Sequence, residues 1–240
     1  MEILKFTVSG QGASFTRPHF NSIISSYSHI HKVALLGMIG AIIGIEKAEE
    51  HPKTSKYTFR TAPDFYLELE DLEVSIVPHK VSFFSKEDVI TDTTGYSNDS
   101  STYVAKYQTL LSPAWDIYIK KSDNPHYETL KEFLLNGEAV YTPYLGRNHW
   151  WATIDNVEVL TGEETFDVET IDSLFPEINV ETEENDDFLV DRIYFREFMP
   201  VELEEILMQY QEQVLALTND IVISSTKPLV QCDNKTLYFI

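Results

Sequence analysis

Two arginines in this chain stand where a phosphate could be held. Arg17 lies in Phe15-Thr16-Arg17-Pro18 and Arg147 in Tyr144-Leu145-Gly146-Arg147-Asn148, each in a loop beside a helix-breaking residue. A guanidinium fork matches the oxygens of a phosphate. Phe15, Tyr27 and Trp150 offer rings on which unpaired bases could stack. The competing reading makes both arginines surface residues with carboxylate partners in the same chain. A second constellation is Tyr27, His29, His31, His79 and Lys80. These are the side-chain types that a metal-free ribonuclease uses to activate a ribose 2′-hydroxyl and protonate the leaving oxygen. Against it, Tyr27 serves equally well as a packing residue, and His79-Lys80 follows Pro78 as an ordinary exit from a strand. No metal site is expected: His29-x-His31 has few companions, and Cys232 is the single cysteine. No cofactor is expected either. Gly37, Gly40 and Gly44 lack the Lys-Ser or Lys-Thr of a phosphate loop and sit inside an apolar run, not in a turn, and no Gly-x-Ser-x-Gly elbow occurs.

The elements that must position these groups follow from periodicity. Ile3 to Ser9 alternates Leu4, Phe6 and Val8 against polar neighbours, a half-buried strand. A long loop, Gly10 to His31, leads into a buried helix over Lys32 to Ile45. Val33 to Ile45 carries no charge and puts its three glycines on one helical stripe. Each glycine costs about 1 kcal/mol against alanine in a helix, so the stripe marks a close approach. Packing against the core sheet is the favoured partner, an RNA backbone the alternative. The run is too short to span a bilayer, which needs about 20 apolar residues. Phe65 to Val77 reads as a strand with a turn near Asp71, broken by Pro78, and Lys80 to Phe84 restarts as a strand. Thr91 to Thr102 is the polar tip of a long hairpin returning over Tyr103 to Leu111. Trp115 to Lys120 is a strand. Tyr127 to Leu135 is a helix stopped by Asn136-Gly137, and Trp151 to Leu160 is a strand, with Trp115 and Trp151 read as core. The order βαββαβ with a hairpin insertion is the ferredoxin-like split pattern. In that pattern the loop after the first strand and the loop before the last can meet at one sheet edge, bringing Arg17 and Arg147 together. Beyond residue 160 the periodicity weakens. A strand over Asp191 to Phe198, a helix from Pro200 to about Leu217 and two short strands within Ile221 to Ile240 are expected.

With 240 residues, 43% of them hydrophobic, the chain can bury a sizeable core. Its formal net charge of -21 argues against nucleic acid until the distribution is read. Fourteen of the 39 acidic residues fall between His149 and Asp191, a stretch with no Lys or Arg, whereas residues 1–148 hold 14 Lys or Arg against 18 acids. A locally positive groove in the N-terminal part is therefore compatible with the acidic whole. The acidic run itself is a solvated face or a docking surface for a basic partner. Met-Glu-Ile-Leu-Lys-Phe at the start has the pattern of a strand, not of a secretory leader, and a cytoplasmic protein is expected.

Taken together these residues resemble the CRISPR-associated Cas family five of the RAMP superfamily, most closely its type I-B branch. The resemblance is carried by Phe15-Thr16-Arg17-Pro18, Tyr27 and Leu36-Gly37-Met38-Ile39-Gly40-Ala41-Ile42-Ile43-Gly44. It continues in Trp115-Asp116-Ile117-Tyr118-Ile119 after Pro113, and in Pro143-Tyr144-Leu145-Gly146-Arg147-Asn148 before the strand ending Val157-Glu158-Val159-Leu160. It covers about residues 1 to 160. The resemblance implies an α+β fold: a ferredoxin-like (RRM-like) βαββαβ core with a long hairpin thumb at about 80–112, then an acidic C-terminal extension over 161–240 with one helix and short strands. It implies a subunit of the antiviral Cascade effector that holds the 5′ handle of the guide RNA beside the Cas family seven backbone and Cas family eight large subunits, meeting target DNA only within the complex. Arg17, Arg147 and Asn148 would grip the handle, Lys32 would offer a phosphate site at the head of the glycine helix, and Tyr27 would stack a base. The type I-C branch cuts precursor RNA with a Tyr, a Lys and a His. The nearest counterparts here are Tyr27, Lys80 and His79, with Lys and His in the opposite order, so no catalysis is expected.

Overall fold

Side chains alternate along Glu2–Ser9, so Leu4, Phe6 and Val8 point to one face and Ile3, Lys5 and Thr7 to the other. This strand is the centre of the molecule. The structure, a computed structural model, describes residues 1–18, 23–45, 64–79, 88–91, 104–183, 193–204 and 209–240. Along the chain come β1 (Glu2–Ser9), α1 (Lys32–Ile43), β2 (Val74–Pro78), β3 (Ala114–Lys120), α2 (His126–Asn136) and β4 (Thr153–Thr161). The four strands form one antiparallel sheet in the spatial order β2-β3-β1-β4. The fold is mixed α and β, with more strand than helix. Asp88–Thr91 pairs antiparallel with Val104–Tyr107; the expected strand at Lys80 to Phe84 and the hairpin tip beyond Thr91 lie outside the described residues.

Leu4, Phe6 and Val8, with Ile76, Trp115 and Ile117, form one apolar core with Leu36 and Ile39 of α1 and Leu130 and Leu134 of α2. His31 caps α1, its Nδ1 accepting from the Ala34 N–H at 3.2 Å. The helix ends at Gly44, whose φ of 75° is the left-handed stop. Gly37 and Gly40 do not pack on the sheet, as the sequence suggested. They face the short helix Asp64–Leu69, where a Cβ on Gly40 would lie 2.8 Å from the Phe65 Cβ. That short helix also corrects the expected strand over Phe65 to Leu69: Tyr66 and Leu69, three apart, are buried while Leu67 is exposed, a helical period.

The largest correction lies beyond residue 160. The described residues of the helix expected from Pro200 to Leu217 are strand instead. They belong to two paired strands, β5 (Tyr194–Leu203) and β6 (Tyr210–Thr218), and the register shifts by a bulge between Pro200 and Glu202. A bulge tolerates a residue with no N–H, so Pro200 breaks neither strand. β7 (Leu229–Cys232) and β8 (Lys235–Leu237) follow. The C-terminal segment is folded onto the sheet. Leu174, Met199, Val201 and Leu215 enter the main core, while Val230, Cys232, Leu237 and Phe239 cover Ile3, Val77 and Tyr118 on the opposite face. Ile240 and Val74 exchange both backbone hydrogen bonds, at 2.9 and 3.2 Å.

Candidate nucleic-acid interface

Ser9 of β1 is opposite Ala114 of β3 and Thr153 of β4, and Pro78 of β2 is opposite Trp115. The loop after β1, the loop before β3 and the loop before β4 therefore leave the sheet at the same end, and they are stitched together there. The Ser14 N–H donates to the Leu145 carbonyl at 3.1 Å and the Tyr27 N–H to the Phe15 carbonyl at 2.9 Å. The Ser14 hydroxyl donates to the Gln108 carbonyl at 3.1 Å, and Gln108 Oε1 accepts from the Ser26 N–H at 3.2 Å. Gly146 is required at this seam: its φ is +78°, and a Cβ would lie 2.0 Å from the Ser14 carbonyl oxygen. Arg17, Tyr27, Tyr107 and Arg147 thus rise from one loop cluster.

Their environments differ. Arg17 forms an ion pair with Glu197 of β5, a carboxylate that is 8% exposed and that also accepts from the Ser28 N–H at 2.9 Å. Tyr27 is 1% exposed, and its hydroxyl donates to Glu212 of β6. Burial first, and then that hydrogen bond, raise the pKa of the phenol. A ring so enclosed has no free face for a base, which corrects the stacking role expected of Tyr27. Arg147 lies flat on Tyr107, its Cζ 3.5 Å from the ring centroid. Among the described residues no carboxylate reaches it. Asn148 beside it is exposed. Lys32 is half-buried and faces a separate cavity of about 490 Å³ shared with Asp71, Glu202 and Gln211. Burial lowers its pKa. Carboxylates surround it, so the head of the glycine helix is not the phosphate cradle that the sequence suggested.

The Tyr-His-Lys set is not assembled by the described residues. Tyr27 belongs to the core on the Trp115 side of the sheet. His79 pairs through Nε2 with Asp116 at 2.8 Å, and Asp116 also accepts from Thr7 at 2.7 Å on the opposite face. Lys80 lies outside the described residues. His29 and His31 are buried. The Trp115 indole N–H donates to His29 Nδ1 at 3.2 Å, and burial holds the pKa of His29 down at about 4 and that of His31 at about 3. Among the described residues no cluster of His, Cys, Asp or Glu could hold a metal ion, and no helix is long and apolar enough to cross a membrane.

What periodicity missed is the surface beside Arg147. Trp115 is fully buried as expected, but Trp151 is 71% exposed. It opposes Tyr144 across an antiparallel bridge, and Tyr144 and Tyr141 line a cavity of about 700 Å³ with Phe15, Gly37, Gly40 and Phe65. The sequence did carry one sign of this: no acidic residue occurs between Glu138 and Asp155, just ahead of the most acidic part of the chain.

Sheet and loops together define a mixed α/β protein whose candidate interface is built by loops gathered at one end of an antiparallel sheet. The chain matches the family described as CRISPR-associated protein (Cas_Cas5) over residues 3–205, and it belongs to that family. The match runs past residue 160 into β5. The structure is similar to a chain of a CRISPR RNA-guided surveillance complex, at 12% identity over 92% of this chain and 91% of that one, with a TM-score of 0.53. It is also similar to a CRISPR protein from Archaeoglobus fulgidus, at 13% identity over 99% of this chain and 98% of that one, with a TM-score of 0.50. At such identities the likeness is one of fold. No curated protein matches the chain significantly.

Proposed function

We propose that this protein is a non-catalytic, cytoplasmic guide-RNA-binding subunit of a type I CRISPR effector, most like type I-B. In this reading it holds the 5′ handle of the guide and contacts the Cas family seven backbone and Cas family eight large subunits. The core is read as ferredoxin-like: the chain order strand, helix, strand, strand, helix, strand and the spatial order β2-β3-β1-β4 both support this. Asp88–Thr91 and Val104–Tyr107 are read as the arms of the thumb.

The observation that carries the proposal is Arg147, which meets no carboxylate among the described residues. It is stacked on Tyr107 beside exposed Asn148, in a loop locked to the one that follows β1. Stacking uses the face of the guanidinium and leaves its terminal N–H groups, which lie in the plane parallel to the ring, available to a phosphate, while Nε is buried. Arg147 and Asn148 are the gripping pair. Arg17 holds the loop in place through Glu197 and contacts the guide only if that carboxylate yields. Against catalysis stand the buried, carboxylate-bound Tyr27 hydroxyl and the placement of His79 on the far face.

The test is guide retention in the reconstituted effector. Arg147→Ala should lose most of the copurifying guide RNA, and an unchanged guide content in Arg17→Ala/Arg147→Ala would overturn the reading. Incubating the chain with labelled repeat RNA without metal checks the catalytic alternative: cutting that disappears in Lys80→Ala would establish a nuclease.

A further inference from the structure

We propose that Tyr144 and Trp151 form a stacking platform for an unpaired stretch of RNA, with the cavity beside Tyr144 receiving one of its bases. The proposal rests on the RNA-binding reading above and gives it a second, uncharged half.

Geometry comes first. Tyr144 and Trp151 are directly opposed across an antiparallel bridge, which puts their side chains on the same side and within contact range of each other. They are 47% and 71% exposed, and Tyr141, three residues upstream of Tyr144, is 52% exposed. Three large rings turned to solvent within eleven residues are an unusual concentration for a folded surface and mark a contact site. The loop that carries them is braced. The Leu145 N–H donates to the Trp150 carbonyl at 2.7 Å, Trp150 to Arg147 at 2.9 Å and Ala152 to Pro143 at 3.0 Å. Rings held in advance lose little freedom when a ligand arrives.

Charge then selects the ligand. The chain carries a net charge of -21, yet residues 139–154 contain no Asp or Glu and do contain Arg147. A basic protein partner would be drawn to the acidic surfaces elsewhere and would find nothing acidic here. A single-stranded nucleic acid needs both things this loop has: π-faces for successive bases and a cation for the backbone between them. The adjoining cavity, about 700 Å³ and walled by Tyr141, Tyr144, Phe65 and the side-chain-free positions Gly37 and Gly40, is large enough for a flipped base.

The experiment uses the full chain and a labelled single-stranded RNA of about ten nucleotides, a length within the usual site size, with binding read by anisotropy across a salt series. Trp151→Ala and Tyr144→Ala should each weaken binding about five- to hundredfold and leave the salt slope unchanged. Arg147→Ala should weaken binding and lower the slope by about one. Trp151→Phe should keep most of the affinity but remove most of the RNA-induced quenching of tryptophan emission, because Trp115 is buried and Trp150 is half-buried. If Trp151→Ala and Tyr144→Ala bind RNA like the wild type, the platform is wrong while the RNA-binding reading stands. The platform is equally wrong if these variants lose only their association with protein subunits, since the surface then serves a protein. If the wild type binds neither this RNA nor a guide within the effector, the underlying reading fails and takes the platform with it.

Discussion

Two loops in this protein pair an arginine with aromatic side chains, and they have opposite fates. The described residues between Phe15 and His31 are closed in: Arg17 is held by Glu197, the Tyr27 hydroxyl by Glu212, and His29 and His31 are buried. The segment from Val140 to Ala152 is open: among the described residues Arg147 meets a ring and no carboxylate, and Tyr144 and Trp151 face solvent. Local composition does not separate them. What does is a hairpin some 180 residues further along, which delivers two carboxylates to one loop and none to the other. The first loop is a structural latch, the second a surface left free for a ligand.

Acid should break this contrast most strongly. His29 and His31 stay neutral in the fold because burial holds their pKa values at about 4 and about 3, against an ordinary 6.5. Below pH 6.5 the unfolded chain takes up protons that the folded chain refuses. Their contribution to stability is thus complete above pH 6.5 and is lost as the pH falls toward 4 and then 3, at up to about 1.4 kcal/mol per pH unit for each histidine. Urea unfolding at pH 7 and pH 5, followed by tryptophan emission, reads this directly; equal midpoints would refute the account. Next in size is the latch. Glu197→Ala strands the Arg17 guanidinium and the Ser28 N–H and should cost about 3 kcal/mol, visible as a lower urea midpoint. At the seam, Gly146→Ala sets a methyl group against the Ser14 carbonyl at a left-handed φ and should cost about 2 kcal/mol, again read by urea unfolding. Smallest is the open loop: Arg147 is half-buried over the buried Tyr107 ring, and Arg147→Ala should change stability by about 1 kcal/mol, the worth of a cation–π contact between the exposed and the fully desolvated limits. A large stability loss there, or none in Glu197→Ala, would erase the distinction between latch and open surface.

The sheet strands and the two long helices were legible because their apolar positions repeat with the period of the element: Leu4, Phe6 and Val8 along β1, and the uninterrupted run of α1. The loop glycine at 146 and the convergence of the two arginine loops followed from the strand order. Of the C-terminal hairpin only the start of β5 was legible, as the strand expected over Asp191 to Phe198; β6 was not. Along β5 the inward positions are Phe195, Glu197 and Met199, so a carboxylate sits in the middle of the buried face. Only the long-range pairing with Arg17 explains why Glu197 is inside, and no local window contains it. Pro200 added a false helix start because a bulge, not a helix, absorbs its missing donor. Trp151 failed for the opposite reason: a large ring next to a strand defaults to core, and only the exposed edge of the sheet at β4 leaves it outside. Tyr66 and Leu69 show how six residues of mixed pattern satisfy both a strand and a helix until packing chooses.

The carboxylate latch also bears on how this chain can change over generations. Arg17 and Tyr27 come early in the sequence and Glu197 and Glu212 late, so a recombination event that joins the first 160 residues to the remainder of a diverged homologue must import both carboxylates or leave the half-buried Arg17 and the buried Tyr27 hydroxyl without them. Chimeras cut at that point should be rescued by restoring Glu197 and Glu212 together more often than by any change nearer the junction.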